Sequence, residues 1–304
     1  MSNLVTDVKS LELETLKNLQ SSMALNTLRA YKADYKDFSS FCLKNGFKPM
    51  PSEPKIISLY LTHLSQTSKF STLKRRLASI SVIHRISGHY IDTKHPMITE
   101  NLMGIKRVKG SYQKAKKPLL LNDLKSIVNV IDKDQNEKRR AKNRALILVG
   151  FAGGFRRSEL VAILFEDIDF VPEGVKIFIK RSKTDQSGEG MTKGIPYFSN
   201  KDYCPVISLK NWLEKSEIKS GRIFDISDKS VALTIKKYTA IAGLDSNKYS
   251  GHSLRSGFAT TAAELGAEER NIMAMTGHKT TQMVRRYIQE ANLFKNNALN
   301  KIKL

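Results

Sequence analysis

The sequence predicts a mostly α protein with a small antiparallel β-sheet, arranged as two domains. Two observations predict the secondary structure: apolar residues recur at helical spacing along most of the chain, and Val175, Ile177 and Ile179 alternate with Lys176, Phe178 and Lys180 in a strand pattern. The third observation is organisational. The chain has 304 residues, and a charged, apolar-poor stretch divides it, so two cores are expected rather than one.

The N-terminal part, residues 1–110, reads as all helical. Leu28, Tyr31, Tyr35, Phe38 and Cys42 lie at helical spacing between about Leu25 and Lys44, and Asn45-Gly46 supplies a stop. Ser52-Glu53-Pro54 reads as a cap and first turn for a helix carrying Ile56, Leu59, Tyr60 and Leu64. Ser71 or Thr72 opens a third helix with Leu73, Leu77, Ile80 and Ile83, ending near Gly88, and a fourth follows His95-Pro96. From Lys106 to Pro118 the chain is rich in charge and carries a Gly and a Pro, which predicts an interdomain linker with its centre at 111–118.

Residues 119–304 are mixed. Leu121-Asn122-Asp123 begins a helix through about Ile131, another runs from about Ala141 to the Gly153-Gly154 pair, and 156–164 predicts a further helix. Val175–Ile179 is a strand, Asp185 to Gly190 a polar loop, and Ile195-Pro196-Tyr197 marks a return strand. Helices are expected over about Val206–Lys215, Ser230–Ile241, Arg255–Leu265, Glu268–Thr276 and Thr281–Phe294.

Composition narrows the partner. Lys plus Arg number 51 against 29 Asp plus Glu, a net charge of +22 and a pI near 9.9. The excess is spread: 20 basic against 8 acidic residues in 1–117, and 31 against 21 in the remainder. A polyanion facing both domains fits this better than a single basic tail, and a nucleic acid is favoured over a membrane surface or an inert basic exterior. No apolar run reaches the ~18 residues a bilayer span needs. The first residues lack a basic start and apolar stretch, and the two cysteines, Cys42 and Cys204, form no CxxC pair. A cytoplasmic protein acting at the nucleoid is expected, without a disulfide framework. There is no Walker motif, HExxH or acidic cluster, so no cofactor is expected.

Four short segments carry the chemistry. They are Gly154-Phe155-Arg156-Arg157-Ser158-Glu159-Leu160, Arg181-Ser182-Lys183-Thr184, His252-Ser253-Leu254-Arg255, and Thr276-Gly277-His278 with Tyr287 nine residues beyond the histidine. Singly each has a bland explanation: a surface ion pair for Arg156, an edge-strand lysine for Lys183, a packed phenol for Tyr287. Their order and wording together are specific. GFRRSEL is similar to "GLRxSEL", GHSLRSGFAT to "HxLRxxFAT", and TGHKTTQMVRRYI to "LGHxxxxxTxxY"; RSKT sits in the intervening hairpin. The whole chain thus resembles the tyrosine recombinases, or phage integrases, in the two-domain Cre-like or Xer-like arrangement. It departs from the pattern at Thr276, where Leu or Met often precedes the Gly-His pair, and in a longer hairpin loop that leaves Lys180 and Lys193 near Lys183.

The resemblance implies a helical core-binding (SAM-like) domain followed by an α+β catalytic domain of the DNA breaking-rejoining type. It implies site-specific recombination through a 3′-phosphotyrosine and a Holliday junction, without metal or ATP. The implied catalytic set is Arg156, Lys183, His252, Arg255, His278 and Tyr287. Two guanidinium forks suit this chemistry because they clamp non-bridging phosphate oxygens bidentately. A phenol of ordinary pKa ~10 needs a base, matched by His252, and the departing 5′ oxygen needs a proton, matched by Lys183. His278 is matched to a hydrogen bond on a phosphate oxygen. Lys74, Arg75, Arg76 and Arg85 at one helix predict DNA contacts by the N-terminal domain. The implied partners are double-stranded DNA with a specific site, three further copies of the chain as a homotetramer, and an accessory directionality or DNA-bending factor. A type IB topoisomerase-like enzyme and a non-catalytic DNA-binding relative are the alternatives.

Overall fold

A computed structural model describes residues 7–21, 25–111, 115–180, 189–292 and 298–302. The chain divides into two compact units, Met1–Lys114 and Ala115–Leu304.

The first unit holds helices α1 (Val8–Ser21), α2 (Leu25–Lys44), α3 (Pro54–Ser65), α4 (Phe70–Ile86) and α5 (Pro96–Lys109), and no strand among its described residues. Phe38, Cys42, Ile57, Tyr60, Leu61, Leu73, Ile80 and Ile98 fill its core from α2 to α5. Pro54 takes the first turn of α3 and Pro96 that of α5, where the missing N–H costs nothing. Helix α1 carries exposed Val8, Leu11 and Leu13. Helix α5 extends four residues into the stretch read as linker. Gly110 then ends it with a left-handed φ of 72°.

The second unit begins with chain that is already tied down: Lys117 N–H donates to Lys248 O at 2.7 Å and Leu119 N–H to Ser253 O at 2.9 Å. Helices α6 (Leu121–Asp132), α7 (Glu137–Ala152) and α8 (Arg157–Leu160) follow. Helix α7 starts one turn before the expected Ala141, because the Asn136 side chain caps Arg139 N–H at 2.8 Å. The helix expected over 156–164 is a correction: it stops at Leu160. The chain beyond is drawn into backbone pairing with 221–223, through Ile223 N–H to Ile163 O at 3.1 Å and Phe165 N–H to Gly221 O at 2.7 Å. Tertiary pairing here overrides a helix-compatible local sequence.

The sheet has order β1-β2-β3, antiparallel throughout: β1 (Ile168–Val171), β2 (Gly174–Ile179) and β3 (Met191–Pro196). Strand β1 joins β2 through a two-residue turn, with Val171 opposite Gly174, and was not expected from its four residues. Strand β3 starts four residues before Ile195. Helices α9 (Pro205–Ser216), α10 (Asp228–Ile241), α11 (Ser253–Glu264), α12 (Glu269–Thr276) and α13 (Thr281–Asn292) complete the unit. Its main core joins α6, α7, α9, α10 and the inner face of the sheet, with Ile127, Leu146, Ile177, Leu209, Trp212 and Ile235 buried. A second cluster holds the last three helices together through Ala259, Ala263, Ile272 and Val284. That small cluster presents α13 to the candidate site.

Candidate active site

The site forms around α11. Three-residue spacing places His252, at the N-cap, and Arg255, in the first turn, on one face. Helix α11 can sit this deep because Gly257 lies directly against the backbone of Leu119, where a Cβ would come within 2.1 Å of the carbonyl oxygen. Arg255 is among the largest fully buried side chains, at 1% exposure. Its Nη1 donates to Gly154 O at 2.9 Å, while Nη2 is buried without a hydrogen-bond partner among the described residues. Burial, and then repulsion from Arg156, push its pKa down to about 10, against a smaller pull from Glu159 and Tyr287. A native protein seldom leaves a buried charged donor unsatisfied, so this atom marks a position built for an acceptor that comes from outside.

Arg156 projects from the cap position of α8. Its backbone N–H donates to the Glu159 carboxylate at 2.9 Å, its guanidinium pairs with the same carboxylate, and Nη2 approaches Gly277 O at 3.4 Å. Glu159 is 3% exposed. It anchors the Arg156 stem and offsets part of the charge, leaving the guanidinium half-buried at the edge of the cluster.

Tyr287 is half-buried on α13, one turn beyond Val284, which is fully buried in the cluster below. Its hydroxyl lies 3.3 Å from His252 Nε2, and its ring stacks on His278 with centroids 6.0 Å apart. Tyr287 also bears electrostatically on Arg255. Partial burial, then Arg255, Arg156 and Arg157, lower the His252 pKa, which keeps its ring neutral and able to accept a proton. His278 follows Gly277, whose left-handed φ of 62° ends α12 and turns the next side chain back toward α11. Burial first, then Arg255 and Arg156, with smaller contributions from His252 and Lys193, hold its pKa down to about 4.

Five of the six sequence-predicted catalytic residues are therefore gathered at one place. Lys183 lies outside the described residues. Lys180, on the same hairpin, pairs with Asp167 at 2.9 Å. The lysine found inside the site is Lys193, 1% exposed on β3. Its Nζ donates to Gly153 O at 2.7 Å and sits 4.4 Å above the Phe155 ring. Burial, with repulsion from Arg255 and Arg156 opposing Glu159, brings its pKa down to about 7. The sequence carried a signal for this residue. In a strand with Ile195 facing inward, period-two alternation puts Lys193 on the buried face too. Glu159 was also passed over, although Glu three residues after Arg156 is the spacing of a helix-start carboxylate.

In the N-terminal unit, Lys74 and Arg85 are exposed on α4. Arg75 and Arg76 both pair with Asp34, which is 3% exposed and also accepts from Ser79 Oγ at 2.7 Å; Arg76 reaches Asp37 as well, at 3.4 Å. Their charge is thus largely used in holding α4 to α2. None of the helices searched among the described residues is long and apolar enough to cross a membrane.

Residues 117–293 match the profile of the phage integrase family. An integrase/recombinase XerD homolog of Selenomonas ruminantium is 42% identical over 96% of this chain and 89% of its own length. The tyrosine recombinase XerC of Staphylococcus aureus is 26% identical over 92% and 91%. Among solved structures, a XerH site-specific recombinase bound to its palindromic difH substrate superposes with a TM-score of 0.65 at 18% identity, covering 90% of this chain and 80% of that one. A λ integrase dimer bound to a core site gives 0.60 at 16% identity, covering 96% and 78%. The chain belongs to the phage integrase family. It is an enzyme of the tyrosine-type site-specific recombinases.

Proposed function

We propose that this recombinase breaks and rejoins duplex DNA through a 3′-phosphotyrosine at Tyr287. The observation that carries the reading is the buried, unpartnered Nη2 of Arg255 beside the His252–Tyr287 contact. A phosphodiester oxygen supplies the acceptor that the guanidinium lacks. Arg156 and Arg255 hold the two non-bridging oxygens and neutralise the charge that grows as the phosphorus becomes five-coordinate. His252 Nε2 takes the phenol proton as the oxygen attacks, and returns it in the reverse step. His278 contacts a non-bridging oxygen. The leaving 5′ oxygen takes a proton from a lysine. Lys183 is our assignment, and Lys193, with its pKa near 7, reinforces the positive floor of the pocket.

The covalent bond stores the energy of the broken diester, so a 5′-hydroxyl from a second duplex reverses the step without ATP. Strand exchange through a Holliday junction, by four copies on two duplexes, follows from that chemistry and from the named activities of the relatives. A directionality or DNA-bending factor belongs to the same proposal. So do DNA contacts by Lys74 and Arg85, which are free of the ion pairs that engage Arg75 and Arg76.

The test uses nicked duplexes that lose the short leaving strand on cleavage, drawn from a library of flanking sequences. The wild type should accumulate a protein–DNA adduct resistant to denaturant. Tyr287→Phe should still shift the duplex but leave no adduct. An adduct at wild-type yield from Tyr287→Phe would remove Tyr287 from the mechanism.

A further inference from the structure

At the position where Thr276 departs from the family wording, the structure holds an unusual contact. Thr276 is fully buried at the end of α12. Its Oγ1 lies 2.6 Å from Ile272 O, 3.5 Å from Met273 O and 2.8 Å from His278 Nδ1. A hydroxyl has one proton and two lone pairs. A carbonyl oxygen only accepts, so the 2.6 Å approach to Ile272 O requires the hydroxyl proton to lie between those two oxygens. The contact with Nδ1 then needs a second proton, and only the ring can provide it. Reversing the assignment would set two bare oxygens 2.6 Å apart.

We propose that Thr276 is a positioning residue that locks His278 in the Nδ1–H tautomer. The ring then meets the site with a bare Nε2 and becomes a hydrogen-bond donor to phosphate only by taking up a proton. The tautomer stands on this chain's own contacts; its consequence at the phosphate rests on the recombinase reading above. The groups that face the ring are consistent with this. Arg255 of α11, Arg156 at the start of α8, Lys193 of β3 and His252 all bear on it, and Tyr287 of α13 stacks against it. Four neighbours that are cationic or can become so disfavour a second proton on the imidazole while the site is empty. The arrival of an anionic phosphate reverses that balance. An apolar residue at 276, as in the family wording, offers Nδ1 no acceptor and leaves the ring free to carry its single proton on Nε2. In this chain proton uptake is thereby coupled to occupation of the site.

The experiment is nitrogen-15 NMR of the full chain with labelled histidine, with His278→Gln used to assign the resonances. At neutral pH, wild-type His278 should show a pyrrole-type Nδ1 and a pyridine-type Nε2. Thr276→Ser should keep that pattern. Thr276→Val, which keeps the shape but lacks the hydroxyl, should move the proton to Nε2. An Nε2–H ring in the wild type overturns the proposal, and so does a Thr276→Val spectrum unchanged from it. These spectra are read without DNA, so they decide the tautomer whether or not the chain cleaves. Adduct formation across pH then tests the consequence. The ratio of Thr276→Val to wild-type cleavage should rise as pH rises, because only the variant ring donates while neutral. A ratio constant with pH, alongside equal behaviour of Thr276→Ser and Thr276→Val, would show that His278 reaches phosphate without proton uptake.

Discussion

Replacing Arg255 by Met separates a functional charge from a structural one. Met fills much of the same buried volume without the guanidinium. A pKa near 10 lies roughly two to three units below the ordinary guanidinium value, so holding the charge in the folded protein costs on the order of 3 kcal/mol. The substitution relieves that cost. It also removes the 2.9 Å hydrogen bond to Gly154 O, leaving a buried carbonyl unsatisfied at about 1–3 kcal/mol. The two effects nearly cancel. Urea unfolding at neutral pH should therefore place Arg255→Met within about 2 kcal/mol of the wild type. Removing one partner of a fully satisfied buried ion pair would instead cost about 3–5 kcal/mol. Cleavage behaves differently. Loss of one preorganised donor to a developing oxyanion typically costs ~10²–10³ in rate, and this change deletes two donors and a charge. Adduct formation should fall by at least that much while the duplex is still bound. A variant destabilised by more than about 4 kcal/mol, or one that cleaves within tenfold of the wild type, would refute the view that Arg255 is held strained for an incoming phosphate.

Other outcomes follow from the same geometry. Because burial and three guanidiniums lower the His252 pKa, cleavage by Thr276→Val, whose His278 donates without proton uptake, should stay level at limiting substrate as pH falls to 6.5 and decline only below it. Arg157→Gln removes one positive neighbour and so raises that pKa, moving the acid limb upward; a limb that stays put or moves down contradicts His252 as the base. Gly257→Ala sets a Cβ 2.1 Å from Leu119 O, backbone that cannot swing away, and should cost about 1–3 kcal/mol in urea unfolding while displacing Arg255 and lowering cleavage. Lys74→Ala and Arg85→Ala should weaken DNA binding and flatten its salt dependence with little change in stability. Asp34→Ala should lose about 1–3 kcal/mol, since it takes the buried acceptor from Ser79 Oγ and one of two carboxylates from Arg76. Equal stability losses at Lys74 and Asp34 would argue against that division of labour.

The sequence made the helices and the order of the site legible for physical reasons. Tyr31, Tyr35, Phe38 and Cys42 repeat with the helical period, and α2 spans the expected Leu25–Lys44. HxxR spacing places His252 and Arg255 on one face whatever surrounds them, and α13 starts at the expected Thr281. What sequence did not reveal depended on contacts between distant segments. The chain after Leu160 leaves the helix because 163–165 pairs with 221–223, some sixty residues on. Arg75 and Arg76 looked like free charges because Asp34 lies about forty residues away on another helix. Lys193 was outranked by Lys183 because the RSKT wording is local, whereas its own burial depends on Phe155 and the Gly153 carbonyl. The contact between Thr276 Oγ1 and His278 Nδ1 was hidden for a similar reason: two residues apart in sequence, they interact only because Gly277 turns the chain back.

The central claim is that the Tyr287 oxygen becomes bonded to a DNA phosphate. Mass mapping of the trapped adduct after nuclease and protease digestion tests it most directly. The added phosphate-linked mass should fall on the peptide containing Tyr287, at that residue alone. The same mass on another hydroxyl, such as Tyr249, with the Tyr287 peptide unmodified, would contradict the account.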